Sequence, residues 1–198
     1  MAHYLIFGDS IAQGFNDLTG GWVQRLRESL TLDDYVYNLG VDGDTSDGVL
    51  TRFESELKPR LSTESKQNYI LIAIGSNDSA WNNQSNQCWV PVEKYRQNLN
   101  QIIKIARKYT DKIILISPEP IDQIKVDPMP WEPALSYKTE LVKQYNLAMR
   151  TVAEAEKLSF VDLFNQLPTE YIKTLDDGVH PNSDGHRLIF NLVKDVLK

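Results

Sequence analysis

Five short apolar runs, rich in β-branched and aromatic residues, alternate along this chain with longer segments of helical periodicity. In the helical segments apolar residues recur at steps of three and four, as Val23, Leu26 and Leu30 do. Parallel strands need crossover connections, which are usually helices. The alternation therefore predicts a five-stranded parallel sheet covered by helices on both faces, a three-layer α/β/α sandwich. The predicted strands are residues 4–7, 35–38, 69–74, 112–116 and 159–161.

Length and charge narrow the class of protein. The 198 residues suit one domain, so we expect a single domain over 1–198. The longest apolar run, 69–74, is far shorter than the roughly 20 residues of a membrane-spanning helix. The net charge is −6, and no run of Lys and Arg is present to attract phosphates. We therefore expect no transmembrane segment and no nucleic-acid partner.

Cysteine content and the first residues bear on location. A lone cysteine, Cys88, excludes an internal disulfide but leaves the redox compartment open. Residues 1–7 show neither a basic leader nor a long apolar segment. This pattern favours a cytoplasmic protein, although a chain from which an export signal had been removed would begin in the same way.

Polar, glycine-containing turns follow the predicted strands. Residues 8–10 (Gly-Asp-Ser), 40–45 and 75–78 (Gly-Ser-Asn-Asp) come after the first three strands, and residues 177–181 (Asp-Gly-Val-His-Pro) come late in the chain. In open parallel sheets the ligand crevice lies outside the carboxyl ends of the strands. We therefore expect these turns to meet at one edge of the sheet and to form the functional site.

A serine nucleophile and a histidine base are the predicted centre of that site. Ser10 stands in the first turn, among glycines that permit close approach of a ligand. A hydroxyl needs a neighbouring base, and His180 is preferred because His3 precedes the first strand and His186 begins the last helix. Asp177, three residues before His180, can hold the imidazole. The alternatives are structural: Ser10 as a helix cap, His180 as a solvent-facing loop residue.

Attack on an acyl carbonyl also requires hydrogen-bond donors for the oxyanion. Gly43 can supply a backbone N–H, Asn77 a side-chain amide, and Ser10 its own backbone N–H. Gly43 could instead be required only for a positive φ, and Asn77 could cap a helix. Asp176 is a minor alternative to Asp177.

These four blocks, in this order, resemble the SGNH-hydrolase superfamily of GDSL-type esterases, lipases and acylhydrolases. Its leucine after the nucleophile is replaced here by Ile11, a conservative change. The resemblance implies a flavodoxin-like five-stranded sheet, a shallow open site, and hydrolysis of an ester or thioester without a metal. Residues 90–95 and 117–120 further resemble small bacterial esterases related to isoamyl-acetate-hydrolysing enzymes.

Two long stretches without periodicity, 79–91 and 117–133, follow strand ends and carry large apolar residues. Those residues can line an acyl or alcohol pocket, stack on a sugar ring, or simply cover the core. They are Trp81, Trp89, Met129 and Trp131.

No cofactor is indicated. The acidic and histidine residues within 176–186 lack the spacing of a zinc motif, and neither a phosphate-binding loop nor a dinucleotide fingerprint occurs. The sequence predicts no metal and no cofactor.

The favoured function is therefore a serine acyl-hydrolase acting on a small ester, thioester or acetylated sugar. Two alternatives keep the same fold: an acyltransferase to a sugar or alcohol, and a ligand-binding module without turnover. The sequence makes no prediction of oligomeric state.

Overall fold

A computed structural model describes residues 1–63 and 67–197. In chain order its strands are β1 (His3–Gly8), β2 (Tyr35–Gly40), β3 (Asn68–Ala73), β4 (Trp81–Asn82), β5 (Gln87–Cys88), β6 (Ile113–Ile116), β7 (Leu135–Ser136) and β8 (Ser159–Val161). Its α-helices are α1 (Ser10–Gln13), α2 (Gly21–Ser29), α3 (Ser46–Leu57), α4 (Val92–Ala106), α5 (Gln123–Val126), α6 (Thr139–Glu156), α7 (Leu163–Gln166) and α8 (Ser183–Val196). Short 3₁₀ segments among the described residues include Lys58–Arg60 and Thr169–Thr174.

The central sheet has five strands in the order β2-β1-β3-β6-β8, and all neighbouring strands are parallel. The predicted sheet is therefore confirmed, with bounds that shift by at most two residues. For example, β1 begins at His3 because that residue pairs with both Tyr35 and Asn68.

Alternating side chains of each strand feed two separate cores. In β1, Leu5 and Phe7 face the layer of α3, α4 and α6, whereas Tyr4 and Ile6 face α1, α2 and α8. This follows from the two-residue period of a strand. Since both faces are covered, β1 reads as a continuous apolar run, as is typical of a parallel sheet.

The order of the strands reverses at β1, which places a crevice at its carboxyl end. The chain leaves β1 through α1 and α2 on one face to reach β2, and returns through α3 on the other face to reach β3. Adjacent connections that run over opposite faces open a gap between them. The functional turns are therefore expected to meet there.

A second, small antiparallel sheet, β5-β4-β7, was not predicted from the sequence. In it Trp81 pairs with Cys88 on one side and with Ser136 on the other. It covers a third apolar cluster that includes Met129 and Tyr137. Strands of two residues show no measurable periodicity, so these segments looked irregular in the sequence.

Across residues 1–63 and 67–197, no helix combines the length and the apolar character that crossing a bilayer requires.

Candidate active site

Ser10 is the first residue of α1, in a tight turn directly after β1. Asp9 caps this helix by accepting a hydrogen bond from the Ile11 backbone N–H at 3.0 Å. A side chain at Gly8 would lie 2.6 Å from the carbonyl oxygen of Ala73, so only glycine fits between strand and helix. Ser10 is only 4% exposed, and its hydroxyl is held in one place.

His180 brings the far end of the chain to Ser10. Its Nε2 lies 2.9 Å from the Ser10 hydroxyl oxygen, across a separation of 170 residues. His180 stands just before α8, whose cap residue Asn182 accepts from the N–H groups of Asp184 and Gly185. The start of this helix fixes the loop that carries the imidazole.

Asp177 completes a hydrogen-bonded chain with these two side chains. Its Oδ2 lies 2.7 Å from His180 Nδ1, and its Oδ1 accepts from the backbone N–H groups of Val179 and His180. Burial raises the pKa of Asp177, but the hydrogen bonds from His180 and Val179 outweigh burial and lower it to about 2. An ionised Asp177 accepts only, so His180 Nδ1 carries the proton and Nε2 faces Ser10 as an acceptor.

Asn77 and Gly43 lie in the same cavity as Ser10 and His180. The Asn77 amide nitrogen donates to the Asp44 carbonyl oxygen at 2.9 Å, and its amide oxygen accepts from the Tyr137 hydroxyl rather than from the backbone N–H groups of a helix. Gly43 has a φ of +70°, and no atom lies within 4 Å of the position that a Cβ atom would occupy. Its backbone therefore turns in the left-handed region at an open position.

Three buried carboxyl groups lie beneath the site. Burial raises the pKa of Asp9 to about 6, of Asp78 to about 7 and of Glu119 to about 8. Asp78 accepts hydrogen bonds from the backbone N–H and the hydroxyl of Ser46, and Glu119 Oε2 lies 3.1 Å from the Ser76 hydroxyl. Asp78 and Glu119 thereby connect the turns after β2, β3 and β6.

The cavity next to Ser10 has a volume of about 200 Å³. Trp89, Met129 and Trp131 line it, as the sequence predicted. Trp81 lies elsewhere in the structure. This residue pairs within the small sheet outside the lining, and the Lys138 ammonium sits 4.9 Å above its ring.

Sequence reasoning missed several residues around the cavity. The Phe15 ring lies 4.5 Å from the His180 ring, and the Asn16 amide reaches Asp177 Oδ2 at 3.4 Å. Phe15 and Asn16 follow the Ser10 turn closely in the sequence, and this closeness was the one signal that could have predicted them. The Tyr137 hydroxyl donates to Asn77 Oδ1 at 2.8 Å, across a separation of 60 residues. No pattern in the sequence predicts this contact. Asp42 and Glu132 also contribute to the lining.

The remaining histidines are structural. His186 is fully buried, and its Nδ1 accepts from the Trp22 N–H while its Nε2 bonds to the Phe15 carbonyl oxygen. His3 Nδ1 bonds to the Arg60 carbonyl oxygen. No group of three or more metal-ligating side chains occurs within the part of the chain that the structure describes.

Comparison with known proteins identifies the family. The model of the GDSL-like Lipase/Acylhydrolase family matches residues 6–188. The human protein named isoamyl acetate-hydrolyzing esterase 1 homolog is 28% identical, over 94% of this chain and 77% of its own length.

Two solved structures share the fold. The lipase/acylhydrolase from Enterococcus faecalis has a TM-score of 0.77 at 23% identity and covers 98% of this chain and 93% of its own. A catalytic mutant of the acetylxylan esterase Axe2 from Geobacillus stearothermophilus has a TM-score of 0.75 at 22% identity, over 99% and 94% of the two chains. Because the family model spans nearly the whole sheet and all four turns, this chain belongs to the GDSL-like lipase/acylhydrolase family and is a carboxylic ester hydrolase.

Proposed function

We propose that the protein hydrolyses small carboxylic esters through an acyl-enzyme on Ser10. The observation that carries this proposal is the continuous hydrogen-bonded chain from the Ser10 hydroxyl through His180 to the Asp177 carboxylate, at 2.9 and 2.7 Å. A hydroxyl becomes nucleophilic when an oriented base can take its proton as it attacks. His180 Nε2 stands in that position.

In the first step, the Ser10 oxygen attacks the ester carbonyl carbon while its proton moves to His180 Nε2. Asp177 stabilises the imidazolium that forms, because its carboxylate is ionised down to a pH of about 2. The tetrahedral intermediate then collapses, and the same proton passes from His180 to the leaving alcohol oxygen. The acyl group remains on Ser10 as an ester.

In the second step, water enters where the alcohol left. His180 takes a proton from this water as its oxygen attacks the acyl carbonyl, and then returns a proton to the Ser10 oxygen. The products are a carboxylic acid and the original enzyme. In both steps the proton passes only between Ser10, His180, the alcohol and water.

Negative charge develops on the carbonyl oxygen in both steps. We assign its stabilisation to the backbone N–H groups of Ser10 and Gly43 and to the Asn77 side-chain amide, all of which border the cavity. One Asn77 amide hydrogen is used by the Asp44 carbonyl, and the second is available for the oxyanion.

The size of the cavity favours a short acyl group. About 200 Å³ is less than the roughly 300 to 1,000 Å³ typical of sites for drug-sized ligands. The names of the human relative and of the Geobacillus structure refer to acetyl esters. We therefore assign acetyl and other short acyl esters as the substrate class.

Two measurements test this function together. A fluorophosphonate probe should label Ser10 in the folded protein, with the adduct located by peptide mass mapping. Rates with p-nitrophenyl esters should be highest for acetate and fall as the acyl chain lengthens. A label on another residue would refute the mechanism, and a maximum at a long acyl chain would refute the substrate class. Binding of these esters without turnover would instead support the ligand-binding alternative.

A further inference from the structure

The Asn77 side chain is held at both ends of its amide. One end faces the Asp44 backbone carbonyl oxygen, which only accepts hydrogen bonds, so the NH₂ group must point there. The other end faces the Tyr137 hydroxyl at 2.8 Å. Because that end must be the amide oxygen, the Tyr137 O–H must be the donor.

This pair of bonds has a consequence for the second hydrogen of the Asn77 amide. A side-chain amide lies in a plane, so fixing its oxygen and one of its N–H groups also fixes the direction of the other N–H. Asn77 is 9% exposed, and it borders the cavity shared with Ser10 and His180. The remaining N–H is therefore preset before a substrate arrives.

We propose that Tyr137 is a positioning residue for ester hydrolysis, which orients the Asn77 amide toward the developing oxyanion. This inference rests on the proposed function, because it assigns Tyr137 a role through a donor that the proposed mechanism uses. An oxyanion donor is effective because its orientation requires no rearrangement during the reaction. Tyr137 supplies that preorganisation for the one donor of the three that belongs to a side chain.

Tyr137 is itself firmly held. Its backbone N–H donates to the Val126 carbonyl oxygen at 2.9 Å, and its ring, 4% exposed, lies in the apolar cluster with Ala80 and Met129. Burial also raises the pKa of the Tyr137 hydroxyl, so the group keeps the proton that it donates. A rigid ring with a permanently protonated hydroxyl suits a residue that orients another.

The segment that carries Tyr137 also contacts the loop of His180. The Asp122 backbone N–H donates to the Gly178 carbonyl oxygen at 2.9 Å, and the Lys125 ammonium donates to the Leu175 carbonyl oxygen at 2.7 Å. The same segment therefore contacts both Asn77, the oxyanion donor, and the loop of His180, the base.

The test is a double-mutant cycle between Tyr137→Phe and Asn77→Ala, read by kcat and KM on p-nitrophenyl acetate. Removing a donor typically lowers kcat by about 10² to 10³, and losing only its orientation should lower kcat by about 10- to 50-fold with KM within about twofold. In the Asn77→Ala background, Tyr137→Phe should change kcat by less than about twofold, because the residue through which it acts is gone.

Tyr145→Phe is the matched control. Tyr145 is also buried and donates its hydroxyl to a backbone carbonyl, that of Val90, but it belongs to α6 and packs in the core against α4. It should lose stability comparable to that lost by Tyr137→Phe and keep the wild-type kcat. If Tyr137→Phe does not fold, Tyr137→Met, which keeps an apolar side chain without a donor, replaces it in the cycle.

Two outcomes would overturn the proposal. One is a folded Tyr137→Phe protein with the wild-type kcat. The other is an equal loss of kcat in the wild-type and Asn77→Ala backgrounds, which would show that Tyr137 acts independently of Asn77. Both outcomes require an active wild type labelled at Ser10, so they differ from failure of the proposed function, in which labelling and turnover are themselves absent.

Discussion

The two turns that carry Ser10 and His180 differ from the excursion between β6 and α6, residues 117–138, in how far the hydrogen bonds that shape each segment reach. In the turns, Asp9 accepts from the Ile11 backbone N–H and Asp177 from the His180 backbone N–H, each within three residues, and the long-range bond between Ser10 and His180 then joins the two turns. In the excursion, Tyr137 bonds to a side chain 60 residues away. The conformation of the turns is therefore set by neighbouring residues in the sequence, whereas the conformation of the excursion is set by contacts with distant residues.

This difference indicates that the turns and the excursion have different roles in the proposed reaction. The turns hold the atoms that exchange protons and form the acyl bond, whereas the excursion shapes the cavity with Met129 and Trp131 and fixes the Asn77 amide through Tyr137. Substitutions in the turns should therefore remove the reaction. Substitutions in the excursion should adjust rate, affinity or stability.

The largest effect is expected for Ser10→Ala, which removes the attacking oxygen. We expect kcat on p-nitrophenyl acetate to fall by about 10⁴ to 10⁶, with the fold preserved. Ser183→Ala is the matched control, because Ser183 is also the first residue of a helix, behind a side-chain cap, and bonds to Arg25 on the surface. A Ser10→Ala protein with more than about a tenth of the wild-type kcat would place the nucleophile outside this turn.

A somewhat smaller loss is expected for Asp177→Asn, which keeps the size of the side chain but removes its charge. The amide stabilises the His180 imidazolium less, and its NH₂ group can favour the wrong tautomer, so kcat should fall by about 10² to 10⁴. Asp176→Asn makes the same charge change one residue earlier, at an exposed position, and should leave kcat within about twofold. Equal losses in both variants would contradict the assignment of Asp177.

The same contrast explains how much the sequence could predict. The five parallel strands were predictable because each buried strand shows its period within a few residues, and the turns were predictable because glycine and aspartate at strand ends have local reasons to be there. Ser10, His180 and Asp177 belong to that class, and the structure brings them together.

The rest of the site depends on pairings that leave no local pattern. Trp81 was predicted to line the pocket from its place in a long loop, but its pairing with Ser136 carries it into the small sheet instead. The contact of Tyr137 with Asn77 likewise depends on the path of the excursion. A single sequence contains no signal for which of several loop aromatics faces the cavity.

Glu119, which lies in the excursion and accepts a hydrogen bond from Ser76 in the turn after β3, gives a prediction about stability. Since burial raises its pKa to about 8, its contribution to stability is present below the unfolded pKa of about 4.3 and is lost as the pH rises through the folded value. Glu119→Gln mimics the neutral acid. It should unfold at the same urea concentration as wild type near pH 4 and be more stable by up to about 5 kcal/mol near pH 8.5.

Asp78 supplies the internal comparison for that experiment. The Asp78 carboxyl, whose pKa burial also raises, is still present in Glu119→Gln. Part of the decline in stability between about pH 4 and pH 7 should therefore persist in the variant. A Glu119→Gln protein whose stability falls with pH as steeply as the wild type would show that Glu119 is ionised in the folded state at neutral pH.

The smallest effect is expected for Trp131→Ala, within the excursion. Trp131 is 51% exposed, lines the cavity, and has its ring 6.4 Å from that of His180. Removing part of an apolar wall should raise KM for p-nitrophenyl acetate by about 3- to 10-fold, equivalent to about 0.7 to 1.4 kcal/mol of lost contact, and leave kcat nearly unchanged.

Trp81→Ala is the matched control for Trp131→Ala, since it removes the same side chain from the neighbouring small sheet. Trp81 contacts Lys138 and pairs with Ser136, so its loss should reduce stability by about 1 to 3 kcal/mol while KM stays at the wild-type value. A rise in KM for Trp81→Ala but not for Trp131→Ala would show that Trp81, rather than Trp131, contacts the substrate. A drop in kcat for Trp131→Ala as large as that for Asp177→Asn would remove the proposed division, because part of the excursion would then share in the chemistry of the turns.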